Sequence, residues 1–268
     1  INWQHEYVGK NYNAEAGYVP RNGYIKLNPQ AGYLFFPKEG SILSHGPKVY
    51  YLLYTNESFR RTDDEEYFSY NLNFRNQSVF SAWVSHDYVE LQQPFDPTNF
   101  KKDTLARGTK HSWQAAGASF FSKPESLITY DLSTRVGGYY ANGNRYNVVA
   151  NIGYRFQPFV SLALNVSYDH INLPAPWNLT KFWLVGSKVD VTMTNKLFFT
   201  TFVQYNEQLN NINLNTRFQW RYKPASDLYI VYTDNYLPVP FSVRNRALML
   251  KLTYWWNVKI AKKDKVEL

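Results

Sequence analysis

Apolar and polar residues alternate with a period of two along most of this chain. From Ile212 to Tyr222 the even positions read Ile, Leu, Thr, Phe, Trp, Tyr and the odd ones Asn, Asn, Arg, Gln, Arg. Successive side chains of an extended strand point to opposite faces, so one face of this segment is apolar with aromatic tips and the other is polar and cationic. The pattern recurs. Val160, Leu162, Leu164, Val166 and Tyr168 oppose Ser161, Ala163, Asn165, Ser167 and Asp169; Tyr146 to Phe156 opposes Arg145 to Arg155; Phe68 to Phe74 opposes Ser69 to Arg75. Leu248, Leu250, Leu252, Tyr254 and Trp256 oppose Met249, Lys251, Thr253 and Trp255. Long alternating runs with aromatics at their ends predict a transmembrane β-barrel, and most runs approach the roughly 9–11 residues of a tilted membrane-crossing strand.

Turn signals divide the chain into a meander. Short ones fall at Arg75–Ser78, Ser122–Ser126, Gln157–Pro158, Thr194–Lys196 and Lys223–Asp227; longer polar segments fall at 60–65, 96–110, 173–180 and 237–245. The reading is an all-β, antiparallel up-and-down barrel of about fourteen strands, near 2–9, 22–37, 47–60, 66–75, 78–92, 110–122, 126–140, 145–156, 158–171, 180–194, 196–206, 211–222, 227–236 and 246–257. Residues 1–257 form the barrel and 258–268 a basic periplasmic tail. Asn142-Gly143 is a tight-hairpin signal. Residues 11–20 read equally as loop or strand, and Pro29 and Pro47 interrupt the ladder. The chain starts at Ile1 without a secretory segment, as expected of a mature form or a piece of a longer precursor.

Composition fits this picture. No apolar run reaches the about 20 residues of a transmembrane helix, and the mean hydropathy is −0.47; a barrel hides its apolar half from such averages. Twenty-three Tyr and eight Trp suit interfacial girdles. We assign Tyr154, Phe156, Tyr168, Trp220, Tyr222, Tyr254 and Trp256 to the girdle and Val160, Leu162, Leu164, Val166, Leu248, Leu250 and Leu252 to the lipid-facing band. The net charge of +8 is spread along strands rather than massed in a patch, so nucleic acid is not an expected partner. Zero cysteine excludes a disulfide framework and thiolate metal sites.

Three segments carry a resemblance. Tyr12-Asn13-Ala14-Glu15-Ala16-Gly17-Tyr18-Val19-Pro20-Arg21, the stretch Asn215–Asp234 and Asn245–Trp256 are similar to a group of Bacteroidota outer-membrane proteins that carry a family-nine-type carbohydrate-binding-like domain ahead of a barrel. The resemblance covers both ends of the chain. It implies that this chain is the C-terminal barrel, in the bacterial outer membrane, with the sugar-binding-like domain upstream. It brings no established activity and no catalytic residue.

The polar face offers the candidate chemistry. The alternation sends Arg75, Arg135, Arg155, Lys188, Arg217, Arg221 and Lys251 into the lumen, with Asp87, Asp131, Asp169 and Asp190. A cation excess in a constriction attracts anions, so one expectation is a channel or uptake protein for small polar or anionic solutes, glycan-derived ones among them. The other is a non-transporting subunit of a larger outer-membrane complex, in protein export or barrel assembly, with a plugged lumen; the strand at 197–206, mixed on both faces, is its candidate docking strand. Outer-membrane lipid, lipopolysaccharide and other outer-membrane proteins are the expected partners. A soluble sandwich is the third reading, and long polar faces speak against it.

No cofactor, metal site or enzyme activity is expected. His5, His45, His86, His111 and His170 lack metal-ligand spacing. A Ser/His pair is closest at His86 beside Ser81 or Ser85 with Asp87, but adjacent strand residues point oppositely. Glu6 and Glu15, or the acid run Asp63 to Glu66, could supply paired carboxylates; the acid run reads more simply as a solvated loop, contacting a divalent ion or lipopolysaccharide.

Overall fold

The computed structural model describes residues 1–256 except 14, 16, 18, 20, 100 and 101. The segment 258–268, assigned as a tail, and residue 257 lie outside the described residues, as do four positions of the 11–20 segment; its other residues form no strand.

Among the described residues, fourteen strands make one antiparallel sheet in sequence order: β1 (Asn2–Val8), β2 (Tyr24–Gly32), β3 (Ile42–Asn56), β4 (Arg61–Phe74), β5 (Val79–Glu90), β6 (Lys110–Phe121), β7 (Ile128–Tyr139), β8 (Gly143–Phe156), β9 (Val160–Asn172), β10 (Leu179–Thr192), β11 (Leu197–Asn206), β12 (Asn211–Lys223), β13 (Ser226–Pro238) and β14 (Phe241–Leu252). β1 and β14 are its two edges, and the sheet is not closed between them. The strand count and the up-and-down order agree with the alternation.

Several boundaries differ. The strand expected at 22–37 ends at Gly32, and the one expected at 47–60 runs Ile42–Asn56, through Pro47. The acid run Asp63–Glu66 is not a loop but the first turn-side half of β4, paired with β3 and β5. Two of its four charges are met there: Arg21 bonds Asp63 at 2.5 Å and Arg61 bonds Asp64 at 2.9 Å. The polar segment 237–245 is mostly strand, with only Val239 and Pro240 between β13 and β14. A bulge opposite Asn235 and Tyr236 absorbs Arg244, and a bulge of this kind lets a polar stretch stay in a ladder. At the hairpin 140–142 the positive-φ residues are Ala141 and Asn142, one position earlier than the Asn-Gly signal.

Cross-strand pairs place like with like. Tyr146, Val148, Ala150, Ile152, Tyr154 and Phe156 of β8 face His170 to Val160 of β9, and β12 and β13 continue the row with Phe218 against Ile230. One face of the whole sheet is therefore apolar and the other polar. The apolar face is bare: Leu164, Ile152, Val84 and Leu250 are all exposed. Accessible surface totals 18267 Å², against about 12,100 Å² for a compact chain of this mass. On β11 the two faces are less mixed than the sequence suggests. Leu197, Phe199, Val203 and Tyr205 with Thr201 lie on the apolar side, and Phe198 and Phe202 are the odd apolar residues among polar neighbours.

Among the described residues, a hydrophobic core cluster sits at a strand end on the polar side. Leu91 and Leu105 of the connection 91–109 pack with Ile171, Leu173 and Trp177, against Val89, Phe95, Tyr139, Tyr140 and Phe182.

Candidate functional site

Nine cations stand on the polar face of the paired strands: Lys26, Lys48, Arg135, Arg145, Arg155, Lys188, Arg217, Arg221 and Lys251. Eight acids stand with them: Glu6, Asp63, Glu65, Asp87, Asp131, Asp169, Asp190 and Asp227. The cation excess expected from sequence shrinks to near balance, because Glu6, Asp63, Glu65 and Asp227 join the same face.

Pairing shrinks it further. Arg145 clamps Asp169 through Nε and Nη2 at 2.7 and 2.6 Å, and Asn147 donates to the other carboxylate oxygen. Lys188 meets Asp190 at 2.8 Å, which also accepts from Thr200. Arg221 meets Asp227 at 3.3 Å beside Gln219. Arg135 spends its donors on the Gly138 and Arg145 carbonyls, and Asp87 accepts from Ser85. Arg75 lies past the end of β4 and ties the 33–41 connection through the carbonyls of Pro37, Lys38 and Gly40. Arg155 and Asp131 line a cavity of about 350 Å³. Arg217, between Thr200 and Val231, Lys251, opposite Tyr229, and Lys48, opposite Ser69, carry the cationic character with Arg155.

At the other strand ends the connection 91–109 folds over this face. Trp177 Nε1 donates to the Asp103 carbonyl at 2.8 Å, Tyr139 to Pro97 at 3.1 Å, and Gln208 to Thr98 and Asn99 at 3.0 Å each. A loop leaving β5 thus reaches the connection after β11, six strands on. Burial beneath it pushes the Tyr140 phenol up to about 12. On the polar face below, Tyr50, Tyr67 and Trp83 stack in a ladder with centroids 4.6 and 5.7 Å apart. Gly117 makes room for it, since a Cβ there would come within 2.5 Å of the Trp83 ring.

The apolar face carries every residue assigned to lipid: Val160, Leu162, Leu164 and Val166 in β9, and Leu248, Leu250 and Leu252 in β14. Its aromatics gather at both strand ends. Tyr154, Phe156, Trp220 and Tyr222 lie toward the short-turn end with Tyr254 and Trp256, and Tyr222 donates to the Thr253 carbonyl at 2.8 Å. Tyr168 is at the opposite end, 4.5 Å from Trp183. Asp234 breaks the apolar rule: it is fully buried on this face, where Tyr232, Tyr236 and Arg246 all donate to one of its oxygens.

A groove of about 670 Å³ crosses β3 to β7. Its walls are two cross-strand rows on the apolar face, Val49–Phe68–Val84–Ala116–Val136 and Glu66–His86–Gln114. Its floor is the intervening row Tyr50–Tyr67–Ser85–Ala115–Gly137. Trp83, Asp87, Trp113 and Arg135, the next polar-face residues along the strands, take no part, so the groove opens on the apolar side. Gly137 adopts φ +145°, and a Cβ there would meet Gln114 O at 2.4 Å. At the polar wall His86 Nε2 lies 3.2 Å from Ser112 Oγ, while Asp87 and Ser85 point to the other face.

No protein-family model matches the chain, and no curated protein is similar to it at a significant level. Sequence reasoning missed Ser112 because its neighbour His86 lies across a nineteen-residue connection whose register no local pattern fixes. The Glu90–Lys110 pairing at the strand ends, opposite charges flanking that connection, was the available signal.

Proposed function

We propose that the sheet closes between β1 and β14 into a β-barrel of the outer membrane, with the apolar face in lipid and the polar face around a path for small polar solutes. One observation carries this reading: a bare apolar face runs across the fourteen strands while the opposite face is predominantly polar, with cross-strand ion pairs and hydrogen bonds such as Arg145–Asp169, Lys188–Asp190 and Asn213–Asn235. A soluble chain does not leave so large an apolar surface uncovered. Only helices and closed barrels satisfy their backbone groups in lipid. The resemblance of both chain ends to outer-membrane proteins agrees with this reading.

Anion preference is the finer part of the proposal and rests on Arg155, Arg217 and Lys251. Single-channel conductance in planar bilayers tests it, with reversal potentials under a salt gradient. Open steps with weak anion selectivity that Arg217→Glu reverses are expected; cation selectivity in the wild type refutes the preference.

The folded connection 91–109 favours a second reading, a plugged barrel acting as a subunit of an outer-membrane assembly. A chain that enters bilayers and stays electrically silent, yet conducts once 92–104 is removed, supports that reading.

A further inference from the structure

We propose that the groove on the apolar face is an ester-hydrolysing site with Ser112 as nucleophile and His86 as base, acting on acyl esters of membrane lipids. The lipid assignment rests on the apolar face being lipid-facing; the nucleophile does not.

Four observations converge. Ser112 is exposed, and its Oγ lies 3.2 Å from His86 Nε2, at the edge of the range for a serine–base pair before substrate binds; the hydroxyl donates to the Asp87 carbonyl at 3.0 Å and must turn from it to give its proton to the base. His86 Nδ1 is buried and has no hydrogen-bond partner among the described residues. If Nε2 is to accept a proton, Nδ1 carries one and needs an acceptor. Glu66, exposed, stands directly across from His86 on β4, where opposed Cβ atoms lie about 5 Å apart. Acid, base and hydroxyl thus sit on three adjacent strands, β4, β5 and β6, with the base in the middle. Gln114, across from His86 on the other side and two residues from Ser112, offers an amide donor on the same face for a developing oxyanion.

The groove supplies the substrate's place. Its apolar wall lies one row toward the short-turn end and its polar wall one row toward the long connections. Ser112 is eight residues from the end aromatic Phe120, about 19 Å of height at 3.4 Å per residue and a 45° tilt. The apolar band of such barrels is about 25 Å tall. Ser112 then stands near the band's upper edge, where a lipid's ester groups lie between acyl chains and headgroup.

The reaction balances with water as the only co-reactant. Ser112 Oγ bonds to the ester carbonyl carbon as its proton passes to His86 Nε2. The C–O bond to the alcohol breaks, and the alcohol leaves with the proton from His86. Water then attacks the acyl-Ser112 carbonyl as His86 takes its proton; the bond from the acyl carbon to Oγ breaks, Oγ recovers a proton from His86, and the acid is released. Glu66 is a positioning residue that holds the histidine's tautomer.

Two measurements on the full chain test the inference. The first is covalent modification by a fluorophosphonate, read by intact mass. The second is fatty-acid release from phosphatidylcholine in mixed micelles. We expect one adduct on the wild type and none on Ser112→Ala. Fatty-acid release should fall at least about 10³-fold in His86→Gln and by about 10²- to 10⁴-fold in Glu66→Gln. Ser85→Ala, on the other face, should match wild type. An inert wild type that has entered vesicles, or an adduct that persists in Ser112→Ala, overturns the inference alone. A chain that reacts at Ser112 in detergent but never enters vesicles overturns the lipid-facing reading and leaves the nucleophile standing.

Discussion

Leu164→Arg separates a lipid-facing surface from a merely exposed one. Leu164 is the centre of the row Val160, Leu162, Leu164, Val166, Tyr168, and its cross-strand neighbours are Ile152 and Ser187. Four residues separate it from each end of the row, about 10 Å of height at a 45° tilt, which puts it near the midplane of a band about 25 Å tall. An arginine there costs about 2–4 kcal/mol in lipid, a factor of about 30 to 900 in the folding constant. The same change at an exposed leucine in water falls within about 0.5 kcal/mol. Its neighbour Asn165→Arg is the control, since Asn165 faces the polar side and donates to Asn151 at 2.6 Å; losing that bond costs about 1 kcal/mol. Denaturant titration of both variants folded into phospholipid vesicles gives the two numbers. If Leu164→Arg costs no more than Asn165→Arg, the apolar face is not in lipid and the barrel reading fails with it.

Three further perturbations probe the interior. Asp169→Ala leaves Arg145 without its carboxylate beside a site where Asp169 is only 6% exposed, and should cost about 3 kcal/mol in the same titration; a change below about 1 kcal/mol would mean the pair is solvated. Gly117→Ala drives a methyl group into the Trp83 ring and the Thr134 carbonyl and should cost about 1–3 kcal/mol, with a changed near-ultraviolet tryptophan signal as the ladder shifts. Trp177→Ala removes the largest side chain from the cluster under the 91–109 connection and its bond to Asp103. Faster amide exchange across 91–105 with unchanged exchange in β8 and β9 is expected; uniform acceleration would show that the cluster supports the sheet rather than the loop.

Strands were legible here because period-two alternation is local: β8, β9 and β12 can be read residue by residue. The same local rule put Arg135, Arg155, Lys188, Arg217, Arg221 and Lys251 on one face together with Asp87, Asp131, Asp169 and Asp190. What alternation does not carry is the neighbour across a strand. Ser112 meets His86 only through the β5–β6 register, and Asp234 meets Arg246 only through β13–β14 and a bulge. Charge misled in one place. Four acids in a row look like a solvated loop, yet alternate pointing splits Asp63 and Glu65 from Asp64 and Glu66, so no strand face carries more than two of them. Loops were the least legible, since the fold of 91–109 over the polar face depends on partners more than sixty residues away, at Trp177 and Gln208.

Closure is the step from sheet to barrel, and the missing cysteines make it directly measurable. On the proposed reading, two edges of unpaired backbone donors and acceptors cannot stay bare in lipid, and with an even strand number β1 and β14 would meet antiparallel. Neighbours on a closed sheet share a face, so Gln4 and Glu6 of β1 must look toward Ala247 and Met249 of β14, all on the polar side. Because the chain has no cysteine of its own, a pair introduced at these positions is the only source of a disulfide. A disulfide needs Cβ atoms about 3.8 Å apart, so among the four polar-face combinations we expect at least one to cross-link in vesicle-folded protein. Gln4→Cys with Leu248→Cys or Leu250→Cys, which mix faces, should not. Equal cross-linking in mixed and matched pairs, or none in any, would mean that the edges are joined by another strand and that the path through the polar face belongs to an assembly rather than to this chain.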